Sequence, residues 1–197
     1  MKHKILVILG STRDGRYGDK PAHWITGVLA ADPRFEPELV DLRDWPLPMF
    51  DQPKSPARIT DGNYGNEVAN RWGQKIASAD GFVIIAAEYN HGPTAVLKNA
   101  LDWVFREWNR KPVTFVGYGG VGGSRAIEQL RQIAIELEMA PIRRAVHLSL
   151  EVFRATLGKS APVDPALFAP AEASAKLMVE DLAWWTAALA NARASGG

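Results

Sequence analysis

The stretch "GFVIIAAEYNHGPTAVLKNALDW" (81–103) decides the fold. It opens on seven apolar residues, the mark of a strand buried on both faces of a parallel sheet. It closes on the amphipathic spacing of a helix. Between them, "EYNHGP" (88–93) places a carboxylate, a phenol, an amide and an imidazole in four consecutive positions. A chain that leaves its core on so polar a loop builds either an ordinary turn or a binding surface.

The same strand-then-helix pattern recurs along the chain. "HKILVILG" (3–10), "PVTFVGYG" (112–119) and "IRRAVHLSL" (142–150) read as further buried strands, and "FEPELVDL" (35–42) as an alternating edge strand. Helical patterns begin at Lys20, Asn66, Thr94, Ser124 and Pro170, the third running to Trp108. "LAWWTAALA" (182–190) reads as a core face of the last helix. Alternation of this kind predicts an α/β fold: a five-stranded parallel sheet between two helical layers, flavodoxin-like, order 2-1-3-4-5. One domain is expected over residues 1–192, with a frayed tail at 193–197. Two long irregular stretches, 43–65 and 151–164, exceed the roughly 12–15 residues usual for a plain connection.

Composition narrows the function. The chain has 197 residues, 47% of them apolar, and a net charge of +1. That balance lacks the basic footprint of a nucleic-acid binder. No apolar run approaches the roughly 18 residues that a membrane span needs. The N-terminus reads as a first strand rather than a signal sequence, so a cytoplasmic protein is expected. Cysteine is absent, which excludes disulfides, thiol nucleophiles and cysteine-held metals.

In this fold ligands bind beyond the carboxyl ends of the strands, where the strand order reverses. Three loops should meet there: "GSTRDGRYGDK" (10–20), "EYNHGP" (88–93) and "GYGGVGGSR" (117–125). The first combines tight-turning glycines, Ser11, Arg13 and Arg16 with the start of a helix, which suits an anion. A solvated turn with two surface arginines is the alternative. Gly10 and Gly15 imitate the start of a P-loop, but Arg16-Tyr17 replaces its Lys-Ser/Thr, so nucleoside triphosphate binding is excluded. Gly117-x-Gly119-x-x-Gly122 matches a dinucleotide fingerprint only in letters. It follows the fourth strand rather than the first, and the acidic residues at the right offset, Glu136 and Glu138, fall in a helical stretch. Its glycines suit either a flexible turn or a close approach to a flat ligand. Together the loops suit a phosphate at one end and a planar polar ring at the other.

These motifs resemble the NADPH-dependent FMN reductases, a flavodoxin-like group that includes quinone, azo-dye and chromate reductases. "GSTRDGRYG" (10–18) resembles the phosphate loop of that family, G-S-x-R. "EYNHGPTAVLKNALDW" (88–103) resembles its signature P-E-Y-N-x-x-x-P-x-x-L-K-N-A-I-D-W, with one residue fewer between Asn90 and Pro93. "GYGGVGGSRAIEQLR" (117–131) and "LRDWPLPMFD" (42–51) are similar to two further family segments. The resemblance spans about residues 3–150. It implies that Ser11 and Arg13 hold an FMN phosphate. It implies that Glu88, Tyr89, Asn90 and His91 line the flavin ring, largely through backbone groups, and that Gly117, Gly119 and Gly120 pass its other side. Family serine and asparagine positions are here Arg16 and Gly18, so phosphate binding is expected to lean on Arg16 and on backbone amides, with Tyr17 and Gly18 in the same loop. The proline before Glu88 is Ala87, and Gly117 stands for a serine.

The resemblance further implies hydride passage from NADPH or NADH, through FMN, to quinone-like, azo or other small acceptors. It implies a homodimer or homotetramer with FMN near the subunit interface. No catalytic side chain and no metal are expected, because the flavin carries the chemistry. His91 reads as a hydrogen-bonding loop residue rather than a proton shuttle. A flavin-binding electron carrier and a cofactor-free interaction protein on the same fold are the alternatives.

Overall fold

The computed structural model describes residues 2–196; Met1 and Gly197, at the ends of the expected domain and tail, lie outside the described residues. Chain order is β1 (His3–Leu9), α1 (Asp19–Ala30), β2 (Phe35–Asp41), α2 (Glu67–Ala77), β3 (Gly81–Ala87) and α3 (Ala95–Asp102). Then come β4 (Pro112–Tyr118), α4 (Ser124–Glu136), β5 (Ala140–Pro141), β6 (Val146–His147), α5 (Leu150–Thr156) and α6 (Ala169–Ala194). The sheet runs β2-β1-β3-β4-β5, with β6 also on β4, and every pairing is parallel. This is the flavodoxin-like order that the sequence predicts.

Strand pleating explains why the core is double. Ile5, Val7 and Leu9 of β1, with Val83 and Ile85 of β3, face a cluster completed by Trp24, Ile25, Met178 and Leu182 of α1 and α6. Leu6, Ile8, Phe82 and Ile84 face the opposite cluster, with Trp72, Leu97, Leu101 and Leu130 of α2, α3 and α4. Successive side chains point to opposite faces, so a strand covered on both sides must be apolar throughout.

The fifth strand departs from expectation. Instead of one strand over 142–150, β5 and β6 are two short pieces. Between them the chain leaves the sheet, and side chains take its carbonyls. Thr114 Oγ1 donates to the Arg144 carbonyl at 2.7 Å, and Arg131 donates to the carbonyls of Ile142 and Arg143. Ladder bonds resume where Leu148 N donates to the Gly117 carbonyl at 2.9 Å. The stretch expected to be irregular from 151 instead starts inside α5, which Ser149 caps by accepting from Val152 N. Helix α3 stops at Asp102, short of Trp108. Trp103 turns inward to donate to the Pro48 carbonyl at 2.7 Å, and Trp108 packs edge-on against Phe82.

That contact belongs to a larger anchor. The buried Asn99 carboxamide accepts from Phe50 N and donates to the Pro48 carbonyl, so "PLPMF" is pinned to α3. Helix α6 runs to Ala194, and Arg193 near its end donates to Asp80 Oδ1. Trp184 and Trp185 do not face the core. They point outward and pack edge-to-face at 5.1 Å, while Leu182, Ala183 and Thr186 face inward.

Gly117 sits in β4 where a Cβ would land 2.6 Å from the Gly122 carbonyl oxygen and 2.7 Å from Ile127 Cδ1. Alanine at 117 therefore forces the β4–α4 turn apart. We expect Gly117→Ala to cost about 1–3 kcal/mol in urea unfolding, the range of overpacked cores; an unchanged midpoint contradicts that tight packing.

Candidate functional site

The three polar loops do meet at the carboxyl edge of the sheet. They border a cleft of about 680 Å³, lined by Arg13, Gly15–Lys20 in part, Glu88, Tyr89, Tyr118 and Gly119. Its far wall is Phe153 and the segment 157–161.

The first loop follows β1. Its carbonyls are turned away from the ligand side by two arginines. Arg16 Nη1 donates to the Ser11 carbonyl at 2.6 Å. Arg43 Nη2 and Nε donate to the carbonyls of Arg13 and Thr12 at 2.7 and 3.3 Å. The amides of Thr12, Arg13, Asp14, Gly15 and Tyr17 have no acceptor among the described residues. Gly15 has φ +61°, and its Cβ position opens on empty space. A row of free amides beside a helix N-terminus is an anion cradle.

Arg16 is not free to serve as the phosphate cation. Its guanidinium is buried and takes Asp19 through Nε and Nη2 at 2.7–3.1 Å. It also takes both Asp41 oxygens. Burial opposes its charge, but the two carboxylates push its pKa above the usual arginine range. Arg13, by contrast, is exposed, with its guanidinium 5.6 Å from the Tyr89 ring centre. Ser11 is buried, and its hydroxyl pairs with the Tyr89 hydroxyl at 2.8 Å.

The second loop is a tight turn. Tyr89 and Gly92 exchange both backbone bonds, at 2.9 and 3.1 Å. Asn90 and His91 between them have φ +49° and +76°, the left-handed pair that a primed turn requires. Both are exposed at the tip, outside the cleft lining, and the His91 carbonyl accepts from Gln129. The Glu88 side chain is only 3% exposed and is bound to Arg125. Arg125 Nε donates at 2.7 Å, and Arg125 N donates to the other oxygen at 3.1 Å. Glu88 thus caps α4, whose own N-cap is Gly123. Burial alone would raise the Glu88 carboxyl; the Arg125 bonds more than reverse it and hold it below the usual range.

The third loop divides its glycines between packing and the cleft. Gly117 packs on Gly122 and Gly123, not on a ligand surface, and Gly120 has open space where a Cβ would stand. Gly119 lines the cleft, and a Cβ there would meet Glu88 Cβ at 2.9 Å. Gly18 packs under the cleft; its Cβ position is 2.6 Å from Leu9 Cδ1 and 2.8 Å from the Tyr118 hydroxyl.

Several cleft residues escape a sequence reading. Tyr118 ends an apolar strand, its buried hydroxyl has no partner in hydrogen-bonding geometry among the described residues, and burial pushes its pKa up. Lys20 opens α1 and lines the cleft 5.4 Å from the centre of the Tyr17 ring. Tyr17 packs at a tilt against Tyr118 and Phe153, with centroids 5.0 and 4.6 Å away, and its hydroxyl meets Thr156 Oγ1 at 2.8 Å. Only the spacing Val152-x3-Thr156 hints at the helix that carries this wall.

A parallel α/β sheet with an amide cradle and an aromatic-walled cleft at its switch point defines a nucleotide-type cofactor binder. The cleft fits FMN in kind: free amides and cations for a phosphate, an aromatic wall, and bare backbone at Gly119. The family model for NADPH-dependent FMN reductase matches residues 3–152. An NAD(P)H-dependent FMN reductase of Schizosaccharomyces pombe is 44% identical over 147 residues, 74% of this chain and 73% of its own. A 2-hydroxy-1,4-benzoquinone reductase of a Burkholderia species is 34% identical, over 71% of this chain and 74% of its own. In structure, the flavoenzyme FerB, an NAD(P)H:(acceptor) oxidoreductase of Paracoccus denitrificans, is similar with a TM-score of 0.68, at 21% identity over 93% of this chain and 97% of its own. The chain belongs to the NADPH-dependent FMN reductase family and is an oxidoreductase of that flavin-dependent, NAD(P)H-using class. No helix among the described residues is long and apolar enough to cross a membrane.

The Arg16 hub has an acid signature. Burial would raise the Asp41 carboxyl, but the bonds from Arg16 more than reverse it, so its folded pKa is lowered. Its stabilising contribution is then complete above the unfolded carboxylate pKa, about 3.9, and is lost as pH falls through the lower folded value. Denaturation midpoints measured from pH 5 to 2 should fall for the parent protein and fall less steeply for Asp41→Asn. Parallel curves contradict the pairing.

Proposed function

We propose that this cleft holds FMN and that the protein passes reducing equivalents from NADPH or NADH to quinone-like, azo or other small acceptors. One observation carries the reading: a row of unpaired loop amides, backed by two arginines bound to the opposite carbonyls, opens into an aromatic-walled cleft. When bound, FMN supplies hydride chemistry that no amino-acid side chain offers.

The chain supplies placement. The amides of Thr12, Arg13, Asp14, Gly15 and Tyr17, the Ser11 hydroxyl and the exposed Arg13 take the phosphate. The backbone of Glu88, Tyr89, Asn90 and His91 borders the ring on one side, and Gly119 and Gly120 on the other. Arg16, Tyr17, Gly18 and Gly117 shape these loops from behind. Tyr17, packed between Tyr118 and Phe153, excludes water from the inner wall, which strengthens polar contacts there. We assign no catalytic acid or base.

The small acceptor is supported by the quinone reductase among the relatives. We further propose a single FMN-binding domain over 1–192, a homodimer or homotetramer with FMN near the subunit junction, and a cytoplasmic location. The exposed Met49, 72% accessible on a loop pinned by Asn99, supports an apolar contact with a second subunit.

Reconstitution followed by desalting should leave about one flavin per chain, as a single site requires. The loaded protein should then oxidise NADPH in the presence of a benzoquinone well above the rate of free FMN. Colourless protein after desalting, or turnover no faster than free flavin, contradicts the proposal. Gly15→Val, which strains a φ of +61° and fills the open cradle, should weaken FMN binding about tenfold or more.

A further inference from the structure

Two carboxylates line the cleft, and both are committed: Asp19 to Arg16 and Glu88 to Arg125. Among the described residues, no carboxylate pairs with the charged groups of the lining cations Arg13, Lys20 and Lys159. Lys159 and Arg13 are exposed, and an exposed cation satisfies itself with water. Lys20 is different. It is only 9% exposed, its stem is packed at the start of α1, and its ammonium lies 5.4 Å from the centre of the Tyr17 ring at the cleft wall, with no carboxylate partner among the described residues. A cation held by a packed stem at the wall of the cleft, with no carboxylate beside it, is placed to meet an anion.

We propose that Lys20, beside Arg13, is a cation that binds a phosphate monoester in this cleft, the role that Arg16 is too fully engaged to perform. This rests on the FMN reading above. Two ligands of the reaction carry that chemistry: FMN, and NADPH through its 2′-phosphate. An ammonium is a point charge that suits a phosphate dianion without demanding forked geometry. Tyr17 holds it by its ring, and the amides of the first loop complete the anion's shell.

The test compares ligands with and without the phosphate. Affinities for FMN and riboflavin are measured by flavin fluorescence quenching on the purified protein, Lys20→Met and Lys20→Arg. KM values for NADPH and NADH follow on the flavin-loaded forms. If the FMN phosphate is the partner, Lys20→Met loses at least about tenfold in FMN affinity, keeps riboflavin affinity, and Lys20→Arg restores most of the difference. If the donor's phosphate is the partner, the NADPH-over-NADH preference collapses in Lys20→Met, while the FMN-to-riboflavin ratio is unchanged. Equal ratios in all three proteins overturn the proposal. Should Lys20→Met not fold, Lys20→Gln is read in its place, with thermal midpoints confirming the folded state. A parent protein that binds neither flavin defeats the functional reading; one that binds both, with variants unchanged, defeats only the role of Lys20.

Discussion

Two arginines decide which side of the first loop faces the ligand. A peptide unit carries its N–H and C=O on opposite sides, so holding consecutive carbonyls outward leaves amides facing inward. Arg16 holds Ser11, and Arg43 holds Thr12 and Arg13. Hydrogen bonds to charged donors contribute about 1.5–3 kcal/mol each, ample to fix a short glycine-containing loop. Arg16 is in turn fixed by Asp19 at the start of α1 and Asp41 at the end of β2. The cradle is therefore tied to the sheet edge on which the whole site stands.

The second and third loops are tied to each other by Glu88 and Arg125. This pair caps α4, closes the approach to Gly119, and removes the carboxylate's charge from the cleft. With Asp19 and Asp41 also paired, the free charge left around the cleft is positive, and an anionic ligand meets little repulsion. The wall from α5 adds an apolar side to a site otherwise built from loops.

The fold was legible because buried strands carry their own signature. Apolar runs at 3–10, 81–87 and 112–119 have no solvent face, and the loops after them fall on one edge by topology alone. The fifth strand was not, because "IRRAVHLSL" alternates like a strand while Thr114 and Arg131, distant in sequence, claim its carbonyls. Arg16 shows the limit within the site. An arginine in a glycine loop suits a phosphate or a carboxylate equally well, and only the fold brings Asp41 to it, 25 residues along the chain. Lys20 was hidden for the opposite reason: at the first turn of an amphipathic helix a lysine reads as solvated. The turn at 88–93 was located, yet its reactive-looking members split, with Glu88 inside and His91 at the exposed tip.

The claim that Arg16 shapes the cradle without touching the phosphate has a direct measurement. Arg16→Met and Asp41→Asn, both kept folded as judged by thermal midpoint, are titrated with FMN and with riboflavin. A cradle that has lost its shape holds the phosphate poorly, so both variants weaken FMN by similar factors and leave riboflavin binding unchanged, which is the predicted result. A loss of FMN affinity in Arg16→Met with FMN binding unchanged or tightened in Asp41→Asn, where Arg16 is released toward the anion, would mean that Arg16 is itself the phosphate ligand and would contradict this account.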